Sequence, residues 1–310
     1  MILTVTLNPS IDIAYQIRNF VPDHVNRTEE TNKTPGGKGL NVTRVLAALG
    51  DEVKATGLIG GKNGEYLQEK LNEAGIASAF YPIAGDTRNC VAVLHEGKQT
   101  EILEQGPVIS EQEYQGFLKF FRELIRECDA VVLSGSLPGG IPDTCYAELT
   151  GICTDAGVPV ILDCSGKALR KALEADRKPA VIKPNTDELC ELLNAEVTRD
   201  PEVLKKALSS ELFKGIPWIV VSLGAEGCFA RHHDVFYHVH IPKIRVVSPV
   251  GSGDATVAGI ASGIVNGLTD EELLKRANTL GMLNAMEKET GTVNMDHYDE
   301  LYREITIAKV

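Results

Sequence analysis

Between Ala130 and Gly227 four short apolar runs recur, and each stops on a small or polar residue. Ala130-Val-Val-Leu closes in Ser134-Gly-Ser-Leu-Pro, and Val158-Pro-Val-Ile-Leu closes in Asp163-Cys-Ser-Gly. Ala180-Val-Ile closes in Lys183-Pro-Asn, and Trp218-Ile-Val-Val closes in Ser222-Leu-Gly-Ala-Glu-Gly. Helical stretches near 111–126, 144–156 and from Thr186 accompany them, so the runs read as buried parallel strands. Residues 1–7 add a further buried strand, ended by Asn8-Pro9-Ser10. The fold class that follows is α/β, with a doubly wound, mostly parallel central sheet. Loops at the carboxyl ends of such strands form the cleft where ligands bind.

A chain of 310 residues, 43% hydrophobic and 24% charged, is long enough for one large domain with a small appendage. Its start, Met1-Ile-Leu-Thr-Val-Thr-Leu, is too short and uncharged for a signal peptide, and no run approaches the roughly 18 apolar residues of a membrane span. The expected location is cytoplasmic. Seven scattered cysteines without Cys-x-x-Cys spacing fit reduced thiols better than a disulfide frame. A net charge of −12 argues against nucleic acid or an anionic membrane as partner. A phosphate ligand would have to be met by local Lys and Arg.

Two regions break the βα rhythm. Ile11, Ile13, Tyr15 and Ile17 alternate with polar or small neighbours, and Cys90–His95 and Gln99–Leu103 form an alternating pair about the turn Glu96-Gly97-Lys98. The expected organisation is a single domain over 1–310, with strands from about 11–35 and 88–105 inserted as a protruding sheet. That sheet would serve as a lid or as a dimer surface. Asp12, just past the first strand, stands where open sheets place ligand-binding residues, and also reads as a turn cap. Thr34-Pro-Gly-Gly-Lys-Gly-Leu-Asn-Val predicts the opening of a helix that runs to about Leu49. Its glycines would wrap a small polar ligand, with Lys38 as a point charge and Asn41 one turn on. Arg88, at the start of the first protruding strand, could hold a phosphate bidentately.

The chemistry is expected at Pro249–Val265, where Gly251-Ser252-Gly253-Asp254 opens a helix of small residues. Free amides and the positive helix end make an anion seat, and Asp254 in the first turn can act as a base beside it. A base next to a phosphate cradle points to phosphoryl transfer to a hydroxyl, although a capped, buried helix has the same sequence. The turn matches neither a dinucleotide fingerprint, because Thr256 stands where a third glycine belongs, nor a P-loop. Asn185 and Glu188 could face a hydrated Mg²⁺ or simply cap the helix from Thr186. His232, His233, His238 and His240 lack the acidic or Cys partners of a metal site.

Taken together, Gly36-Gly-Lys-Gly-x-Asn41, Ser134-Gly-Ser-Leu-Pro, Lys183-Pro-Asn-x-x-Glu188, Ser222-x-Gly224-x-x-Gly227 and Gly251-x-Gly253-Asp254 resemble the ribokinase-like (PfkB) carbohydrate kinases. The resemblance covers nearly the whole chain in order. The opening Thr4-Val-Thr-Leu-Asn-Pro-Ser-Ile-Asp is similar to the branch of 1-phosphofructokinases and tagatose-6-phosphate kinases, and Thr87–Glu104 is most similar to the latter. The resemblance implies ATP, Mg²⁺ and a ketohexose phosphate as ligands. D-tagatose 6-phosphate is first, on the tagatose route of lactose and galactose catabolism, and fructose 1-phosphate is the alternative. It implies that Asp254 is the catalytic base, with Gly251, Ser252 and Gly253 as its anion hole. Asp12, Gly37 and Asn41 would bind the sugar, and Lys38 and Arg88 its phosphate. Lys183, Asn185, Ser222, Gly224, Gly227 and Gly253 would contact ATP. Glu188 and Asn185 would serve Mg²⁺ through water, and carbonyls of Ser248 and Val250 a monovalent cation such as K⁺, the rest of whose site near Gly291 stays unassigned. A homodimer through the lid sheet is the expected assembly. A non-catalytic sugar-phosphate sensor is the rival from another class.

Overall fold

The computed structural model describes every residue except Glu29, which falls within the expected lid stretch 11–35 and lies outside the described residues. Strand Ile2–Thr6 is wholly buried and pairs in parallel with Val53–Ile59 on one side and Ala130–Ser134 on the other. Beyond Ala130–Ser134 the sheet continues in parallel through Val160–Asp163, Val181–Ile182 and Trp218–Ser222. It ends in three antiparallel strands, Cys228–His232, Val235–His240 and Thr306–Lys309.

Both faces are covered, because alternate residues of each strand enter different cores. Leu3, Val5, Val131 and Leu133 pack with helices Glu111–Leu124, Cys145–Asp155 and Gly166–Glu174. Ile2, Ala130 and Val132 pack with helices Lys38–Ala48, Ser252–Val265 and Asp270–Ala285. This is the mostly parallel, doubly wound sheet expected from the strand pattern.

A second sheet of four strands runs in the order Glu30–Gly36, Ser10–Gln16, Arg88–His95, Lys98–Leu103. Its central pair is parallel and its outer pairs are antiparallel. Ile11 and Ile13 root it against Leu40, Leu67 and Leu71, which turns Asp12 to the opposite face. Its far edge is open, with Ile102 61% and Leu103 60% exposed. One sequence expectation shifts here. Thr34-Pro35-Gly36 does not open the helix but completes a strand, because it pairs with Ser10, Ile11 and Asp12. The helix starts only at Lys38, after Gly37.

Candidate active site

After Ile2–Thr6 the main chain builds one side of the large sheet, then returns to build the other from Ala130–Ser134. At that reversal the strand ends diverge and leave a crevice. A cleft of about 630 Å³ opens there, lined by Asn8, Asp12, Lys38, Asn41, Arg88, Asp163, Lys183 and Asp254 among others. The small sheet forms one wall through Ala14, Val91 and Ala92.

Helix Ser252–Val265 delivers Asp254 into this cleft. Gly251 caps the helix at φ 85°, a left-handed conformation that a side chain would strain. The Ala255 amide is the first to return to the Gly251 carbonyl, and the Ser252 amide donates to the Pro249 carbonyl. The Gly253 and Asp254 amides thus remain for a ligand. Asp254 is only 6% exposed. Its Oδ2 accepts a hydrogen bond from Asn41 Nδ2 at 2.7 Å. Burial, helped by the nearby Asp163 charge, lifts its pKa to about 6 against the pull of Asn41, Lys38 and Lys183. A carboxylate tuned to that range is ionised at neutral pH and still basic enough to take a proton.

Beneath it lies a group that no motif announced. Asp163 ends its strand fully buried between two cations, with Lys183 Nζ 3.4 Å and Lys38 Nζ 3.5 Å away. Burial opposes its ionisation, but Lys183 and Lys38 outweigh it and hold the pKa below the ordinary carboxylate value. The signal existed: it is an acid at the carboxyl end of a parallel strand.

At the other end, Asp12 Oδ1 accepts a hydrogen bond from Ser10 Oγ at 2.6 Å. Burial raises the Asp12 pKa, while Ser10, Arg44 and Arg88 restrain the rise. Arg88 donates to the carbonyls of Asn8 and Glu104 and lines the cleft. Gly36 passes so close that a Cβ there would sit 2.0 Å from the Asp12 carboxyl carbon. Gly36→Ala is therefore expected to swing Asp12 away and to cut kcat/KM for a ligand held at this end of the cleft by about 10²-fold. In the same variant the KM for a ligand at the far wall of the cleft should stay unchanged, which initial-rate kinetics would check.

On the remaining wall, Asn185 and Glu188 form a capping box. Asn185 Oδ1 accepts from the Glu188 amide and Glu188 Oε2 from the Asn185 amide. Both also line the cleft with Ser222, so the capping box does not remove them from it. Gly224 and Gly227 shape the turn after Ser222 at φ 62° and 95° and are not among the cleft-lining residues. Glu188 Oε1 makes no hydrogen bond among the described residues, and Asp163 Oδ2 meets only Lys38 Nζ, at 3.5 Å. Hard oxygen donors of this kind fit a hydrated Mg²⁺. Ser248 and Val250 line the cleft, and the Val250 carbonyl accepts from Asn284 Nδ2 at 2.8 Å. Asn284 Oδ1 in turn accepts from the Gly291 amide, so this asparagine ties the two loops together. His232 stacks on Trp218 at 4.1 Å and pairs with Asp270. Among the described residues no three His, Cys, Asp or Glu group as metal ligands, and no helix is long and apolar enough to cross a membrane.

Comparison with known proteins decides the class of this site. The sequence pattern of the pfkB family carbohydrate kinases matches residues 5–297. The chain belongs to the pfkB carbohydrate kinases. This pfkB kinase is 34% identical to a candidate phosphofructokinase from Staphylococcus aureus, over 100% of this chain and 99% of that one, at TM-score 0.86. It is 29% identical to phosphofructokinase-2 from Escherichia coli solved with potassium, over 97% and 98%, at TM-score 0.90. It is 27% identical to a candidate 1-phosphofructokinase from Thermotoga maritima, over 100% and 99%, at TM-score 0.89. The pfkB kinase is thus a ribokinase-like, ATP-dependent sugar kinase.

Proposed function

We propose that this pfkB kinase phosphorylates the free terminal hydroxyl of a ketohexose phosphate, with D-tagatose 6-phosphate giving D-tagatose 1,6-bisphosphate as the preferred reaction. The observation that carries the reading is Asp254: a buried carboxylate with pKa about 6 at a helix start, in one cleft with Lys38, Lys183 and Arg88. Asn41 engages Oδ2 and leaves Oδ1 for the sugar hydroxyl. Asp254 takes the hydroxyl proton, while the Gly251–Asp254 turn and Lys183 steady charge on the transferred phosphoryl group. Asp12, Gly37 and Asn41 orient the ring. Arg88 holds the phosphate already present. Lys38, paired with Asp163 beside Lys183, fits the transferred group better than the sugar's own phosphate.

Lys183, Asn185, Ser222 and Gly253 would hold ATP, with Gly224 and Gly227 shaping the turn beyond Ser222 that the nucleotide would reach, and Glu188 with Asn185 would hold Mg²⁺ through water. When bound, Mg²⁺ neutralises charge on the phosphoryl oxygens. The Ser248 and Val250 carbonyls would face K⁺. The small sheet would close over the sugar as a lid, and its exposed Ile102 and Leu103 would serve a homodimer in the cytoplasm.

Fructose 1-phosphate is the second reading, favoured by the likeness to a candidate 1-phosphofructokinase. Both sugars carry one terminal phosphate and one free terminal hydroxyl, so the choice rests on a few ring contacts. Coupled ADP release with tagatose 6-phosphate, fructose 1-phosphate and fructose 6-phosphate at matched concentration tests this. The highest kcat/KM is expected for tagatose 6-phosphate. ADP release with none of the three would favour a sugar-phosphate sensor.

A further inference from the structure

The guanidinium of Arg44 enters no step of the reaction above, yet it joins three elements that build the cleft. Arg44 lies one turn after Asn41 on helix Lys38–Ala48. Its NH2 donates to Asn41 Oδ1 at 2.6 Å and to the Thr290 carbonyl at 2.8 Å, and its NH1 donates to the Pro35 carbonyl. Pro35 belongs to the edge strand of the small sheet, and Thr290 lines the cleft. A second contact, Asn32 Nδ2 to Glu289 Oε1 at 2.6 Å, links the same strand to the same loop.

An arginine has only donors and an ionised carboxylate only acceptors. The Asn41 amide between Arg44 and Asp254 can satisfy both in one orientation alone, oxygen to Arg44 and nitrogen to Asp254. We propose that Arg44 is a positioning residue that fixes the Asn41 amide and, through it, the carboxylate of Asp254. The inference rests on reading Asp254 as the base. Without Arg44 the amide can turn its oxygen toward Asp254, and the repulsion would displace the carboxylate.

The charged groups about Asp254 are Asp163, Lys38 and Lys183, and those about Arg44 are Asp12, Asp254 and Glu289. Removing Arg44 takes a positive charge and an oriented donor from Asp254, so the Asp254 pKa should move above about 6. The test combines Arg44→Met and Arg44→Lys with Asn41→Ala. Arg44→Met should lower kcat by about 10- to 100-fold, with the KM for ATP within about twofold, and move the acidic limb of the kcat profile to higher pH. In the Asn41→Ala background the same substitution should cost no more than about twofold, since coupled residues are not additive.

Arg44→Lys keeps the charge but loses the planar fork, so it should still cost about tenfold, and it serves where Arg44→Met fails to fold. A carbon-13 carboxyl titration of Asp254, assigned by its loss in Asp254→Asn, reads the same pKa without turnover. A wild-type protein silent with all three sugars would sink the kinase reading yet leave this titration to judge Arg44. An unmoved Asp254 pKa in a folded Arg44 variant, or an equal loss of kcat with and without Asn41, would overturn the proposal.

Discussion

Asp254→Asn is expected to lower kcat by about 10²- to 10⁴-fold, the range a general base contributes, with nucleotide affinity largely intact. It should also make the protein more stable. The folded-state pKa of Asp254 is raised from 3.8 to about 6, so the folded chain binds more protons than the unfolded chain between these values. Stability therefore falls as pH rises through that window, and above about pH 6 the buried charge costs its full amount. Two pKa units correspond to on the order of 3 kcal/mol. Asparagine removes the cost, so the melting temperature should rise by several degrees at pH 7.5 and hardly change near pH 4. A variant that is both inactive and stabilised distinguishes a strained functional carboxylate from a mere structural cap. Near-normal turnover by the folded variant would remove Asp254 from the mechanism.

Asp163→Asn should act on both stability and pH profile, with the signs reversed. Its carboxylate is paired with Lys183, itself only 7% exposed, and with the half-exposed Lys38. Removing one partner of a buried pair leaves the other charge uncompensated, a loss of about 3 kcal/mol or more. The Asp163 pKa lies below 3.8, so its contribution is present above the ordinary carboxylate range and lost only in more acid solution. The destabilisation should thus be complete at neutral pH and shrink as the wild type is acidified below about pH 4. Asp163 also raises the Asp254 pKa, and without it the acidic limb of kcat should move to lower pH, opposite to the shift expected for Arg44→Met. Misplaced lysines should lower kcat by about 10²-fold. Denaturant melts and a pH–rate profile of one purified variant check all three effects. An acidic limb that stays in place would show that the two carboxylates do not interact.

Much of this arrangement was legible in the residues, and for physical reasons. The hairpin turn was, because Glu96 and Gly97 take φ 44° and 72°, the two positive angles that a tight two-residue turn demands. So were the buried strands, whose unbroken apolar runs are what two covered faces require. The small sheet's sidedness followed from alternation, which put Ile11 and Ile13 in a core and Asp12 in the cleft. Helix Gly166–Glu174, which buries Leu169, Ala172 and Leu173, went unread between two strands. The antiparallel extension was not legible either. Thr306–Lys309 is too short to show a period, and its pairing with Val235–His240 is set by tertiary packing far along the chain.

Within the site, glycine turns and single charges among them were readable because the backbone itself is the binding element. Arg44 was not, because an arginine on an amphipathic helix looks like any solvated residue until the fold brings Thr290 to it. Asn284 is silent for the same reason. Its function is to join Val250 and Gly291, which only the fold brings together. Side chains that act by bridging distant loops leave no local pattern. Those that act through a turn do.

The most direct test is kcat of the wild-type protein on its best ketohexose phosphate, at saturating ATP and Mg²⁺, from about pH 4.5 to 8. The account predicts a single acidic limb set by the raised pKa of Asp254, with the rate falling about tenfold per pH unit below it. A rate that stays level to about pH 4.5 while the protein remains folded would contradict it, because a protonated Asp254 cannot accept the sugar's proton.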